Sequence, residues 1–178
     1  EAMETVDYLK NVVSLAMWVP FNEGWGQFDS DRISELIAKK DPTRTIDRTS
    51  GWHDQHTGDF VSKHIYFTPI WVPKDERCYL LSEFGGFAYA PKEHAFNPHK
   101  VYGYAKYEDG ESYAAAVQTL YGQLQPWVAK GLCAAVYTQV SDVEDETNGL
   151  LTYDRKVEKL DPEIMQPVAK ALQAAMGK

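Results

Sequence analysis

Val12-Val13-Ser14-Leu15-Ala16-Met17-Trp18-Val19-Pro20-Phe21-Asn22-Glu23-Gly24-Trp25-Gly26 is the stretch that decides how the chain is read. It opens as an apolar, β-branched and aromatic run, the pattern of a strand buried on both faces. It closes on Asn22-Glu23, two polar side chains set where the strand is expected to stop, and Gly24 and Gly26 then allow a sharp turn. A helical pattern begins at Asp29. Strand, carboxylate, loop and helix follow in that order, and in parallel α/β folds chemistry gathers at the carboxyl ends of strands. A lone Glu in such a place reads as a solvated loop residue. The arrangement recurs, however, in Tyr79-Leu80-Leu81-Ser82-Glu83-Phe84-Gly85-Gly86: a short apolar strand, a Glu at its end, and glycines after it. The repetition makes Glu23 and Glu83 a candidate pair.

The composition sets bounds on what the pair can belong to. A chain of 178 residues, 44% hydrophobic, can bury a core as one globular domain. The net charge of −8 argues against nucleic acid and anionic membrane as partners. No apolar run approaches the roughly 20 residues that span a bilayer. The opening Glu1-Ala2-Met3-Glu4 is acidic where a signal peptide is basic, and it reads as the interior of a longer protein. Aromatic residues make up 13% of the chain; most are expected in the core, but flat rings also suit sugar faces. Cys78 and Cys133 start apolar runs and are expected to be buried thiols, not a disulfide framework.

Taken in order, residues 1–10 resemble a helix end with Met3, Val6 and Leu9 on one face, and the first strand is expected over 12–21. Asp29 is the expected N-cap of the next helix, with Phe28 and Ile33 placed as a hydrophobic staple. Ile33, Leu36 and Ile37 form its stripe, and Asp41-Pro42 ends it. Thr43–Thr49 reads as a second strand and Val61–Thr68 as a third, separated by a polar loop, Ser50 to Asp59. His53 and His56 in that loop have an H-x-x-H spacing but lack the further ligands a metal site needs. Residues 84–110 have no clear period; they form either a functional loop or one folded down by its own aromatic side chains. A helix kinked near Pro126 is expected over 111–130, then a strand, Leu132 to Thr138. Asp142, Glu144, Asp145 and Glu146 read as a solvated loop in preference to a hard-cation site. Asp161-Pro162-Glu163 is a strong helix start. The order of elements indicates an α/β protein with a parallel sheet.

Two Glu residues at the ends of separate strands can face one another over a pocket, and glycosidic bond cleavage needs such a pair. One carboxyl stays protonated to release the leaving oxygen while the other, ionised, attacks the anomeric carbon. Separations of about 5–5.5 Å give retention of configuration, and about 6.5–9.5 Å give inversion.

The same residues carry a resemblance. Trp18-Val19-Pro20-Phe21-Asn22-Glu23 resembles the acid/base motif of glycoside hydrolase family 2, which includes β-galactosidases, β-glucuronidases and β-mannosidases. Leu81-Ser82-Glu83-Phe84-Gly85-Gly86 resembles that family's nucleophile strand, and Ala135 to Arg155 resembles the last strand and following loop of β-galactosidase-like members. The resemblance spans nearly the whole chain. It implies that residues 1–178 are the C-terminal portion of a glycosidase catalytic domain, a partial (β/α)8 TIM barrel from about strand 4 to strand 8 with their helices. It also implies that Glu23 is the acid/base and Glu83 the nucleophile of a retaining double displacement on β-linked sugars, with no cofactor and no metal. Asn22 would bind the sugar 2-hydroxyl, and Tyr66 would hydrogen-bond the nucleophile. His64 either lines the same pocket or is a buried His satisfied by backbone. Tyr137 falls near the position of a sugar-floor Trp, a departure that bears on the glycone.

A full barrel takes about 250 residues. The resemblance therefore implies a longer enzyme, with the N-terminal barrel half and β-sandwich domains as missing partners. Open sheet edges would lead this portion to homodimerise or to shield them with loops, and its activity alone is expected to be weak or absent. The partner is a carbohydrate, with neither nucleic acid nor membrane expected. The alternatives are a non-catalytic carbohydrate-binding or scaffold domain of the same fold, and a metal-dependent hydrolase using His53/His56 or the acidic loop.

Overall fold

Apolar residues make a strand only where their backbone groups find a partner strand, and residues 12–16 find a guanidinium instead. In the computed structural model, which describes residues 1–67 and 69–177, Arg44 Nη2 donates to the carbonyl of Val12 at 3.0 Å and Arg44 Nε to that of Leu15 at 2.9 Å. The expected strand over 12–21 shrinks to β1, Met17–Trp18, which pairs in parallel with β2, Thr45–Ile46. The expectation of burial on both faces is corrected as well: Val13 is 98% exposed. Arg44 is itself held by Asp41, whose Oδ2 accepts from Arg44 Nη1 and from the indole Nε1 of Trp18, both at 2.9 Å. One buried carboxylate thus ties β1 to the segment beyond helix α2, Ser30–Lys40.

The chain divides into two compact units, one of Glu1–His64 with Pro73–Ser82 and one of Ile65–Val72 with Glu83–Lys178. The first contains helix α1, Ala2–Leu9, and a core of Val6, Trp18, Ile37 and Ile46. Asp29 occupies the N-cap position of α2 but does not cap it. Its backbone is left-handed, at φ 43°, and its carboxylate accepts from Arg32 Nε at 3.2 Å. The polar loop 50–59 is latched by Arg77, which donates to both carboxylate oxygens of Asp54, at 2.9 and 2.7 Å, and to the carbonyls of Thr57 and Phe60. Strand β3 covers Phe60–Ile65, shorter than expected, and Thr68 lies outside the described residues. Strand β4, Cys78–Gly85, is the middle member of a three-stranded sheet of order β3-β4-β7, where β7 is Leu132–Thr138. Cys78 is exposed and Cys133 half-buried, which corrects the expectation of two buried thiols.

In the second unit the segment without a clear period contains two short strands. β5, Phe87–Tyr89, and β6, Ala105–Tyr107, pair in parallel with Phe87 opposite Ala105. The expected helix over 111–130 is two helices, α3, Gly110–Gly122, and α4, Gln125–Val128. Pro126 has no N–H and its ring clashes with the carbonyl four residues back, that of Gly122, where α3 ends. Asp161 caps α5, Pro162–Met176, by accepting from the Glu163 N–H at 2.8 Å. Tyr113, Ala114, Val117 and Leu160 form a core cluster in this unit.

The reading of the acidic loop as solvated is corrected at its first residue. Asp142 is 2% exposed and its Oδ1 meets Lys159 Nζ, itself fully buried, at 2.6 Å. Lys159 Nζ also donates to the carbonyls of Tyr89 and Thr147, so all three of its hydrogens are used. Burial pushes the Asp142 carboxyl up and the Lys159 ammonium down, each opposed by the attraction of the other. The pair joins β5 to the 139–151 loop. Among the described residues no helix is long and apolar enough to cross a membrane.

Removing one member of this pair leaves a buried charge. Lys159→Met is expected to lower the unfolding free energy by about 3–5 kcal/mol in urea titration, and the double variant Asp142→Leu/Lys159→Met to recover much of that loss. The Asp41 carboxyl lies well below the usual carboxylate range, first because of the Thr43 hydroxyl and then through Trp18 and Arg44. A depressed folded pKa stabilises above the unfolded value of about 3.9 and loses that contribution as pH falls towards the folded value. Acid titration followed by Trp fluorescence should therefore show a transition below about pH 4 that is displaced in Asp41→Asn.

Candidate functional site

Glu23 follows β1 by five residues and sits in a left-handed backbone conformation, φ 50°, one that costs a non-glycine residue about 1–3 kcal/mol. The turn is held from the 50–56 loop. Glu23 N–H donates to the Ser50 carbonyl at 3.0 Å, and Gln27 Nε2 reaches the His53 carbonyl at 3.4 Å. Ser50 and His53 are left-handed as well, at φ 46° and 56°. Such outliers persist where surrounding structure over-determines them, and they cluster at working sites. Asn22 is exposed, and its carbonyl accepts from Trp25 N at 2.8 Å.

His64, on β3, brings its Nδ1 to 2.7 Å from Glu23 Oε1. Its side chain is 1% exposed. An ionised carboxylate offers acceptors alone, so with Glu23 ionised Nδ1 carries the hydrogen and Nε2 faces the Ser50 hydroxyl, 3.2 Å away. His64 thus meets a carboxylate at one ring nitrogen and a hydroxyl at the other. Asp47, 1% exposed, anchors this arrangement. It accepts from Ser50 N at 3.0 Å and from Ser62 Oγ at 2.7 Å, and Ser62 Oγ in turn accepts from Gly51 N at 3.1 Å. Asp47, Ser50, His64 and Glu23 thus form one hydrogen-bonded series within the first unit. Asp47 directly follows β2, the same placement that singled out Glu23, and that rule applied to β2 finds it.

In the second unit, Glu83 lies inside β4, two residues short of its end, and not beyond a strand stop. Tyr66 Oη donates to Glu83 Oε2. The Tyr66 ring stacks on Tyr104, with centroids 3.8 Å apart and planes at 15°. Gly86, at φ 63°, makes room for this stack, since a Cβ there would stand 2.4 Å from Tyr104 Cδ2. Burial, and then the bond to Glu83, push the Tyr66 phenol far above its ordinary value. Tyr66 therefore keeps its proton at any physiological pH.

Tyr137 lies elsewhere. It packs on Phe84 and Tyr121 with ring centroids 5.7 and 5.9 Å away, its hydroxyl is buried, and burial raises its pKa. The residue of β7 that reaches Tyr66 is its neighbour Thr138, with Oγ1 3.0 Å from Tyr66 Oη. Residues one apart on a strand point to opposite faces, a signal present in the sequence that distinguishes the two. His53 rests on Gly24, where a Cβ would come within 2.6 Å of its ring, and His56 Nδ1 is 3.6 Å from Asp54. His53 thus lies over the turn at Gly24, while the His56 side chain is 86% exposed.

The sequence matches no protein-family model and no curated protein.

The His64 ring rests on Gly51, where an added Cβ would stand 2.4 Å from His64 Cδ2 at a backbone φ of 91°. Gly51→Ala is expected to destabilise the chain by at least about 1 kcal/mol and to move His64 from Glu23. Thermal unfolding and the ring 15N resonances of His64 test the two effects, and an unchanged His64 signal would count against the wedge.

Proposed function

We propose that this chain carries both carboxyls of a retaining β-glycosidase of the family 2 type, β-galactosidase-like, with Glu83 as nucleophile and Glu23 as acid/base. The fold proposed with it is the C-terminal portion of a (β/α)8 barrel. The observation that carries the reading is the Tyr66–Glu83 hydrogen bond. It sits on a residue that the sequence motif had already marked as nucleophile, and it supplies a neutral donor to a carboxylate that must remain ionised. The Glu23–His64 contact supports the other half. An acid/base must both hold and release a proton, and an imidazole beside it can accept or donate one.

In the first step a Glu83 oxygen bonds to the anomeric carbon. The bond to the leaving oxygen breaks, and that oxygen takes the Glu23 proton. In the second step water bonds to the same carbon and gives its proton to Glu23, while the glycosyl–Glu83 bond breaks with its electron pair returning to the carboxylate. Two inversions give net retention. Asn22 is assigned to the sugar 2-hydroxyl, His64 to the setting of Glu23, and Tyr66 to the nucleophile as its hydrogen-bond donor. If the barrel is completed by residues outside this chain, turnover by the chain alone is slow.

An activated 2-deoxy-2-fluoro-β-galactoside tests the reading even at slow turnover. Mass spectrometry is expected to find one glycosyl adduct on the peptide holding Glu83 and none in Glu83→Gln. Glu23→Gln is expected to slow hydrolysis of a chromogenic β-galactoside by about 10²–10⁴-fold. Saturable galactoside binding without any adduct would point to a carbohydrate-binding domain and overturn the assignment.

A further inference from the structure

Thr138 stands at the end of β7 with its hydroxyl 3.0 Å from Tyr66 Oη. Tyr66 has one hydroxyl proton and two acceptor lone pairs. That proton goes to Glu83 Oε2 when Glu83 is ionised, because the carboxylate has none to give. Tyr66 Oη then faces Thr138 as an acceptor, and the Thr138 hydroxyl is the donor. If Glu83 were protonated the series could reverse, with Glu83 donating to Tyr66 and Tyr66 to Thr138. A nucleophile must be ionised, so its working state orders the series as Thr138 to Tyr66 to Glu83.

We propose that Thr138 is a positioning residue: its hydroxyl donates to Tyr66 and so commits the Tyr66 proton to Glu83. Successive hydrogen bonds polarise one another, which strengthens the last of them. Tyr66 has little freedom to turn away, since its ring is stacked on Tyr104 and borders Gly86, where a Cβ would stand 3.2 Å from Tyr66 Cε1. Donation from Thr138 acts to lower the Tyr66 pKa, against burial and the Glu83 bond that raise it.

The kinetic consequence rests on the glycosidase reading. When the glycosyl–Glu83 ester breaks at its bond to the anomeric carbon, the electron pair returns to the carboxylate, water bonds to that carbon, and the water proton passes to the general base. Negative charge reappears on Glu83 in that transition state, where an oriented donor is most effective.

Thr138→Val keeps the β-branched shape and removes the hydroxyl, while Thr138→Ser keeps the hydroxyl. Two measurements on the whole chain test the proposal. The first is the Tyr66 Cζ resonance in 13C-tyrosine-labelled protein, assigned by its loss in Tyr66→Phe. It is expected to shift in Thr138→Val and return in Thr138→Ser. The second is reactivation of the 2-fluorogalactosyl adduct, expected to slow by about three- to tenfold in Thr138→Val, the worth of one hydrogen bond, with Thr138→Ser restoring it. An unshifted Tyr66 signal in a folded Thr138→Val overturns the proposal whether or not the chain labels. A shifted signal with wild-type reactivation overturns the positioning role. If the wild type shows no adduct while the signal shifts and is rescued, the donor series stands and the glycosidase reading falls.

Discussion

An ionised carboxylate accepts hydrogen bonds and never donates them, and that constraint orders the surroundings of both candidate acids. Glu23 is met by an imidazole and Glu83 by a phenol, each a side chain able to supply a hydrogen. Neither partner stands alone. His64 is bounded by the Ser50 hydroxyl at one nitrogen and by Gly51 along its ring, and Ser50 is oriented by the buried Asp47. Tyr66 is bounded by Tyr104 on its face and Thr138 at its tip. The two settings differ in chemistry. An imidazole can take a proton as well as give one, which suits a carboxyl that must change state during a reaction. A phenol held far above its ordinary pKa gives a hydrogen bond and nothing more, which suits a carboxylate that must stay ionised.

The same rule recurs away from these residues. Asp41 gathers donors from Trp18, Thr43 and Arg44, and this set decides how much of the apolar 12–21 run becomes strand. Asp142 is buried with Lys159, whose remaining hydrogens go to two backbone carbonyls. Asp54 closes the 50–59 loop on Arg77. In each case a carboxylate joins segments distant in sequence. The left-handed conformations at Glu23, Ser50 and His53 lie in loops outside the helices and strands. Strain of that kind is held only where several bonds fix the same turn, and the Glu23 turn has the Ser50 carbonyl, the His53 carbonyl and the His64 ring upon it.

The proposed glycosidase chemistry draws on these settings without needing a cofactor. It asks one acid to cycle its proton and the other to keep its charge. The resemblance to family 2 assigned those roles from motif order, and the hydrogen-bond partners of the two acids support the same assignment on separate grounds.

What the sequence determined by itself was local. The span of β7, the Asp161-Pro162-Glu163 start of α5, the helix over 30–40 and the two Glu residues after or within apolar strands all follow from alternation, capping and turn chemistry acting over a few residues. The break at Gly122 was also latent there, because a proline acts on the carbonyl four residues back. The tertiary structure decided what depends on partners far along the chain. His64 meets Glu23 across 41 residues, Thr138 meets Tyr66 across 72, and Arg44 takes the Val12 carbonyl across 32. It also made Asp142 a buried ion and set Tyr137 in an aromatic core while Thr138 faced Tyr66. Composition and period report how apolar a residue is and which way it points along its own element. They carry no record of which donor, brought from another element, will stand within about 3 Å of an acceptor.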